Sequence, residues 1–143
     1  MRRAAVGAAL VLVLGVGCDT VDLGTPPADV NACRPSQAYF VETIWPMVLD
    51  VDYGGKRCND SGCHDLASGR PLTLVAPVLP SALPLPMDWA NNYRSTTEQM
   101  NCSNVGASAL IMFPTGQRPH GGQTLFAPDS EQVTLIKAWI SAP

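Results

Sequence analysis

A mainly α-helical single domain, made of a few short helices and long loops, is the fold class this chain of 143 residues predicts. Three observations carry the expectation. With 13 Pro and 12 Gly, regular elements must be short and irregular segments should dominate. Two stretches, one after Ser36 and one after Pro128, pair helix-start residues with apolar side chains at three- and four-residue spacing. The one stretch that alternates, Ala76 to Met87, holds four prolines and lacks the N–H donors of a central strand. A chain of this size forms one small core, which a cofactor or crosslink would help to stabilise.

Taken in order, Met1 to Gly17 reads as an export signal (1–17): Arg2-Arg3, an apolar run from Ala4 to Val16, then small residues before Cys18. The run is too short to span a bilayer permanently, and it lacks the amphipathic pattern of a buried N-terminal helix. Leu14-Gly15-Val16-Gly17-Cys18 resembles a bacterial lipoprotein cleavage site, which implies diacylation of Cys18 and a lipid anchor. Gly15 stands where that pattern carries a larger aliphatic residue, so cleavage by an ordinary signal peptidase, giving a soluble periplasmic protein, is the alternative. Residues 18–35, rich in Gly, Pro, Asp and Thr, read as a flexible tether, and 36–143 as the domain.

Ser36 is the expected N-cap of a helix through Tyr39, Phe40, Val41 and Ile44 to Trp45, with Pro46 kinking it or opening a second turn that carries Met47, Val48 and Leu49. Tyr39, Phe40, Ile44 and Met47 should form its core face. After His64, a loop from Leu66 to Leu74 could lay Leu72 and Leu74 along an apolar cofactor. Ala76 to Met87 reads as an extended Ω-like wrap. Met87 to Cys102 reads as a helix with Trp89 and Tyr93 on one side. Gly106-Ala107-Ser108 opens a turn with Leu110, Ile111, Met112 and Phe113 that stops at Pro114. Residues 116–123 form a loop holding His120. Pro128-Asp129-Ser130-Glu131 then starts a terminal helix with Val133, Ile136, Trp139 and Ile140 on one face.

The chemistry is concentrated in Cys58-Asn59-Asp60-Ser61-Gly62-Cys63-His64. Cys-x4-Cys-His is a longer relative of the Cys-x-x-Cys-His haem-attachment run. Two thiols can add across the two vinyl groups of one haem, and the adjacent imidazole then serves as proximal ligand. Gly62 lets the lengthened loop fold back. The nearby acids Asp60 and Asp65 read as solvated loop charges or caps, and no distal acid–base pair is recognisable, so no enzymatic activity is expected.

Five cysteines is an odd number for an exported chain. If Cys18 carries lipid and Cys58 and Cys63 carry haem, Cys33 and Cys102 remain and would form a disulfide in an oxidising compartment. Closing that loop could stabilise the domain by roughly 3–4 kcal/mol. Two other readings of the thiols stand beside this one. A pure disulfide framework, with Cys58 bonded to Cys63 or to another partner, leaves His64 idle. A zinc site could draw S2N2 ligands from Cys58, Cys63, His64 and His120. Net charge is −3, falling to −5 if Arg2 and Arg3 leave with the signal, and no basic cluster remains, which argues against nucleic acid as a partner.

Over residues 36–142 the order of pieces resembles the exported mono-haem c-type cytochrome domains of Gram-negative bacteria: Tyr39 to Met47, then Cys58 to His64, Ser108-Ala109-Leu110-Ile111, His120-Gly121-Gly122, and Val133 to Ile140. The longer cysteine spacing departs from the common pattern. The resemblance implies a small cytochrome c-like fold wrapped around one haem c, with thioethers at Cys58 and Cys63 and His64 as proximal ligand. His120 is the expected sixth ligand, with Met112 as the alternative and Met87 and Met100 behind it. It further implies a periplasmic one-electron carrier whose partners are redox proteins at the membrane or in the periplasm. The competing reading is a haem-free, disulfide-stapled envelope lipoprotein acting as a binding module. A third is a haem protein with an open sixth position that binds small ligands.

Overall fold

The structure is a computed structural model that describes residues 35–77 and 85–142. The export segment and the tether up to residue 34, with Cys18 and Cys33, and the middle of the proline-rich wrap lie outside the described residues. All regular structure among the described residues is helical, in agreement with the expected class.

Helix α1 begins as an α-helical turn, Gln37–Tyr39, capped by the Ser36 hydroxyl, which accepts from the Tyr39 N–H at 3.2 Å. It continues without a break as a wider coil, Phe40–Leu49, whose bonds reach five residues back, as from the Asp50 N–H to the Trp45 carbonyl at 2.8 Å. Pro46 lies inside this segment. Its ring would clash with the Glu42 carbonyl in an ordinary α-helix, and it has no N–H to donate; the wider coil absorbs both defects, so the helix runs through Pro46 without restarting. The coil also changes which residues face inward. Phe40, Ile44, Trp45, Val48 and Leu49 are buried, a four- to five-residue repeat. Met47, expected on the core face from three- and four-residue spacing, is turned outward at 41% exposure, and Tyr39 is half-buried.

Helix α2, Met87–Thr97, buries Trp89, Asn92 and Thr96, with Asp88 in its first turn, where the helix dipole favours negative charge. It stops short of the expected Cys102. The hydroxyls of Thr96 and Thr97 donate to the Asn92 and Arg94 carbonyls, and the next N–H groups, from Gln99 and Met100, bond only three residues back, so the last turn tightens and the helix ends. A 3-10 turn, Val105–Ala107, leads into the short helix α3, Ala109–Met112, with Leu110 and Ile111 buried. Helix α4, Glu131–Ser141, opens at Ser130, whose hydroxyl accepts from Val133 N–H at 3.4 Å. It buries Val133, Ile136, Trp139 and Ile140, the four residues its spacing selects.

Helix α4 packs against the wide coil of α1, against α3 and against the 3-10 turn before α3. Phe40, fully buried, is the hub: its ring meets Trp139 at 5.4 Å, Tyr93 at 5.6 Å, Trp45 at 6.3 Å and Trp89 at 6.4 Å between centroids. Each such pair adds about 0.5–1.5 kcal/mol beyond area burial. Two aromatic polar tips close the core over the start of the domain. Trp139 Nε1 donates to the Ser36 carbonyl at 2.9 Å and Tyr93 Oη to the Pro35 carbonyl at 2.6 Å, so Pro35 belongs to the packed unit.

The strap after His64 is tied to α2. Fully buried Asn92 grips Val75 from both sides, Oδ1 accepting its N–H at 2.9 Å and Nδ2 donating to its carbonyl at 2.7 Å. Ser95 Oγ accepts from Thr73 N–H at 2.8 Å, and Leu74 N–H donates to the His64 carbonyl at 2.6 Å. Leu72 and Leu74 are both core residues, and Leu72 also lines a cavity.

Candidate cofactor site

The cysteine loop starts where α1 ends: Cys58 N–H donates to the Leu49 carbonyl at 3.2 Å. It then doubles back, so that His64 N–H reaches the Cys58 carbonyl at 3.0 Å. That closure needs a residue with positive φ, and Gly62 supplies it at 78°. The two nearby acids cap the loop. Asp60 Oδ2 accepts from Arg57 N–H at 2.7 Å and Asp65 Oδ1 from Gly62 N–H at 3.1 Å, the second of the two roles, solvated charge or cap, open to them from sequence.

Cys58 and Cys63 are free thiols, the first buried and the second half-buried. The disulfide between them that a stapled framework would use is not formed. Burial, then the charges of Cys63, Asp60 and Asp50, push the Cys58 thiol up to about 12. Cys102 is disulfide-bonded; Cys33, the partner expected for it, lies outside the described residues. No group of three or more His, Cys, Asp or Glu among the described residues is arranged to hold a metal, so the S2N2 zinc set is not assembled.

His64 is held by its ring. Nδ1 lies 3.0 Å from the Leu72 carbonyl. A carbonyl only accepts, so Nδ1 carries the proton and Nε2 keeps its lone pair. This is the arrangement in which a metal-binding imidazole has its tautomer fixed by its other nitrogen. His120 comes from the 116–123 loop, which is pinned to the end of α3: Arg118 N–H donates to the Met112 carbonyl at 3.0 Å and Leu125 N–H to the Pro114 carbonyl at 2.8 Å. Gly116 makes the turn at φ 73°, and its missing Cβ is required, since one would lie 2.5 Å from Thr124 Oγ1.

These two loops bring the only two histidines of the chain together. Their rings are nearly parallel, 17° apart, with centroids 5.8 Å from each other. Two imidazoles sharing one metal ion at about 2.0–2.1 Å each would have ring centres roughly 6 Å apart. Both rings are shifted toward the neutral form. Burial lowers His64 below its ordinary value of 6.5, the bond to Leu72 opposes this, and His120 and Arg70 lower it further; burial and then Arg70 lower His120. His120 Nδ1 is buried and has no hydrogen-bond partner, an orphaned polar atom of the kind a ligand or water satisfies.

Two cavities meet at this pair. One, of about 180 Å³, is walled mainly by apolar side chains including Leu72, Leu110 and Phe113; the other, of about 170 Å³, contains both thiols. His64, His120, Arg70 and Gly121 line both. The structure thus brings Cys58, Cys63, His64 and His120 to one slot. Met112 lines neither cavity, and Met87 is exposed on the surface. Arg70 escaped the sequence reading, because nothing local marks an arginine as facing histidines 6 and 50 positions away. Among family models, curated proteins and solved structures, none matches this chain.

Proposed function

We propose that this protein is an exported one-electron carrier with a single covalently attached c-type haem, lipid-anchored through Cys18 or soluble in the periplasm. One juxtaposition carries the reading: a Cys58/Cys63/His64 run whose imidazole has its proton committed to Leu72, facing the neutral imidazole of His120 across 5.8 Å. The donor set fits a c-type haem. Cys58 and Cys63 would hold it by thioether bonds, and His64 and His120 would supply imidazole ligands to its iron. A haem so held supplies one reversible electron, at a potential that two imidazoles keep lower than a methionine sulfur would and that burial raises.

The chain's own residues perform the rest. The Leu72 carbonyl keeps His64 in the tautomer that offers Nε2, and Asn92 and Ser95 keep the Leu72–Val75 strap from moving. Leu72, Leu110 and Phe113 exclude water from one side of the slot. If both imidazoles held the group, no position would be left for a small ligand, which favours electron transfer over ligand sensing. The free thiols at Cys58 and Cys63 weigh against the disulfide-stapled alternative. Redox proteins at the membrane or in the periplasm are the partners this reading requires.

The test is expression of the full chain in a host with haem-attachment machinery, followed by an alkaline pyridine spectrum after acid–acetone extraction. A covalent c-type signal that disappears in C58A/C63A is the expected result, with His120→Ala changing the axial-ligand spectrum and Met112→Ala leaving it unchanged. Colourless protein from a host that matures other Cys-x4-Cys-His chains would overturn the reading and leave the haem-free binding module. Carbon monoxide binding to the reduced form without loss of a protein ligand would favour the ligand-binding haem protein.

A further inference from the structure

Helix α1 ends on carbonyls that its own coil leaves without a donor. The carbonyl of Leu49 takes the Cys58 N–H at 3.2 Å. That of Val48, a residue 2% exposed, takes two side chains instead: the Tyr53 hydroxyl at 2.8 Å and the Cys58 thiol at 3.9 Å. The Tyr53 N–H, which a five-residue repeat would bring to it, donates to the Lys56 carbonyl at 2.8 Å. Tyr53 therefore closes the helix with its ring rather than with its backbone.

That ring is held in place. Phe126 packs on it with centroids 5.6 Å apart; Phe126 is buried and follows Leu125, which lines the thiol cavity. Burial and then Cys58 push the Tyr53 hydroxyl well above its ordinary 10.0, which keeps the proton the bond requires. The two donors on the carbonyl are unequal. The hydroxyl makes a bond of ordinary length, whereas a thiol is a weak donor and at 3.9 Å it is the lesser partner.

The inequality matters once Cys58 reacts. In thioether formation the S–H bond and the vinyl π bond break; sulfur bonds to one vinyl carbon, the hydrogen ends on the other, and there is no net oxidation or reduction. The resulting sulfur cannot donate. With no second donor, the Val48 carbonyl would be left buried and unpaired, which is costly. We propose that Tyr53 is a positioning residue for haem attachment: its hydroxyl holds the Val48 carbonyl, so that Cys58 gives up its S–H without undoing the end of α1. The attachment role rests on the haem reading; the sharing of one carbonyl by Tyr53 and Cys58 does not.

The test is a double-mutant cycle in the haem-free full-length chain, with Y53F, C58A and Y53F/C58A unfolded in urea. In Y53F the thiol can still serve the carbonyl; in Y53F/C58A neither side chain does. The expected loss in the double variant is about five- to ten-fold greater, in the unfolding equilibrium constant, than the product of the two single losses. In the matching cycle with Cys58→Ser, whose hydroxyl can donate, that excess should largely disappear. A double-variant loss within about two-fold of the product, or an excess that persists with serine, overturns the proposal. The covalent holoprotein gives a second measurement, which also decides the matter should Y53F/C58A fail to fold. There Y53F must cost several-fold more than it does in the haem-free chain; an equal loss in the two forms overturns the proposal and leaves the haem reading intact. Absence of covalent haem from the unsubstituted chain overturns the haem reading, and the attachment role with it, whatever the cycle gives.

Discussion

Cys58 and Cys63 should differ sharply in reactivity in the folded, haem-free chain, and the size of the difference follows from where the first one sits. Cys58 is 8% exposed, and burial with neighbouring negative charge lifts its thiol from an ordinary 9.0 to about 12. Only the thiolate attacks an alkylating reagent. At pH 8 an ordinary thiol is ionised to roughly one part in ten, and one with a pKa near 12 to roughly one part in ten thousand, a thousand-fold loss before access is counted. Native haem-free protein, reduced at both positions, is pulsed with iodoacetamide at pH 8 and the labelled peptides are counted by mass spectrometry. Cys63 is expected to label first, and Cys58 only through opening of the domain, with urea bringing the two rates together. Equal native rates would refute the reasoning. The same shift has a stability consequence. Because the folded-state value lies above the unfolded one, the stabilisation is complete below pH 9 and is lost as pH rises through 12, about 4 kcal/mol if the whole shift is realised. On the proposed haem reading, thioether formation at Cys58 would have to precede closure of the fold around it.

Other outcomes follow from single residues. Gly116→Ala places a Cβ at φ 73° and 2.5 Å from Thr124 Oγ1; a loss of about 1–3 kcal/mol is expected in urea unfolding, partly relieved in G116A/T124G, and no change in either variant would contradict the close approach. Asn92→Ala frees both polar groups of Val75 and should cost about 2–4 kcal/mol, with faster amide exchange at Val75 as the local sign. In the haem-free protein both imidazoles, lowered by burial, should titrate below 6.5 by NMR. Stability from this source is complete above pH 6.5 and is lost as pH falls through the folded values, so denaturation midpoints must drop on acidification.

Much of the fold was legible because local chemistry decides it. Ser36 caps the helix it is expected to cap, the last helix starts within the Pro128–Glu131 run, and the face of α4 is the one its spacing selects. Met47 was misread for a specific reason: three- and four-residue spacing presupposes an α-helix, and Pro46 within the wide coil replaces that repeat with a longer one. The end of α2 was placed too late because apolar spacing does not register the two threonines that tighten its last turn. At the site, the Cys58–His64 run was marked by sequence alone, and His120 by being the only other imidazole. Arg70 was not, since its relation to the histidines exists only after the Leu72–Val75 strap has docked on α2.

The grip on the start of the domain has a mechanical side. Pro35 and Ser36 offer their carbonyls to Tyr93 on α2 and Trp139 on α4, partners 58 and 103 positions away. A pull on the chain ahead of Pro35 therefore enters the domain at two aromatic clamps and is shared by two helices rooted in the Phe40 cluster. The strap after His64 is tied to the first of those helices by Asn92, next to the Tyr93 clamp. Tension entering ahead of Pro35 would therefore be felt first by the two clamps and next, through Asn92, by the strap that holds His64.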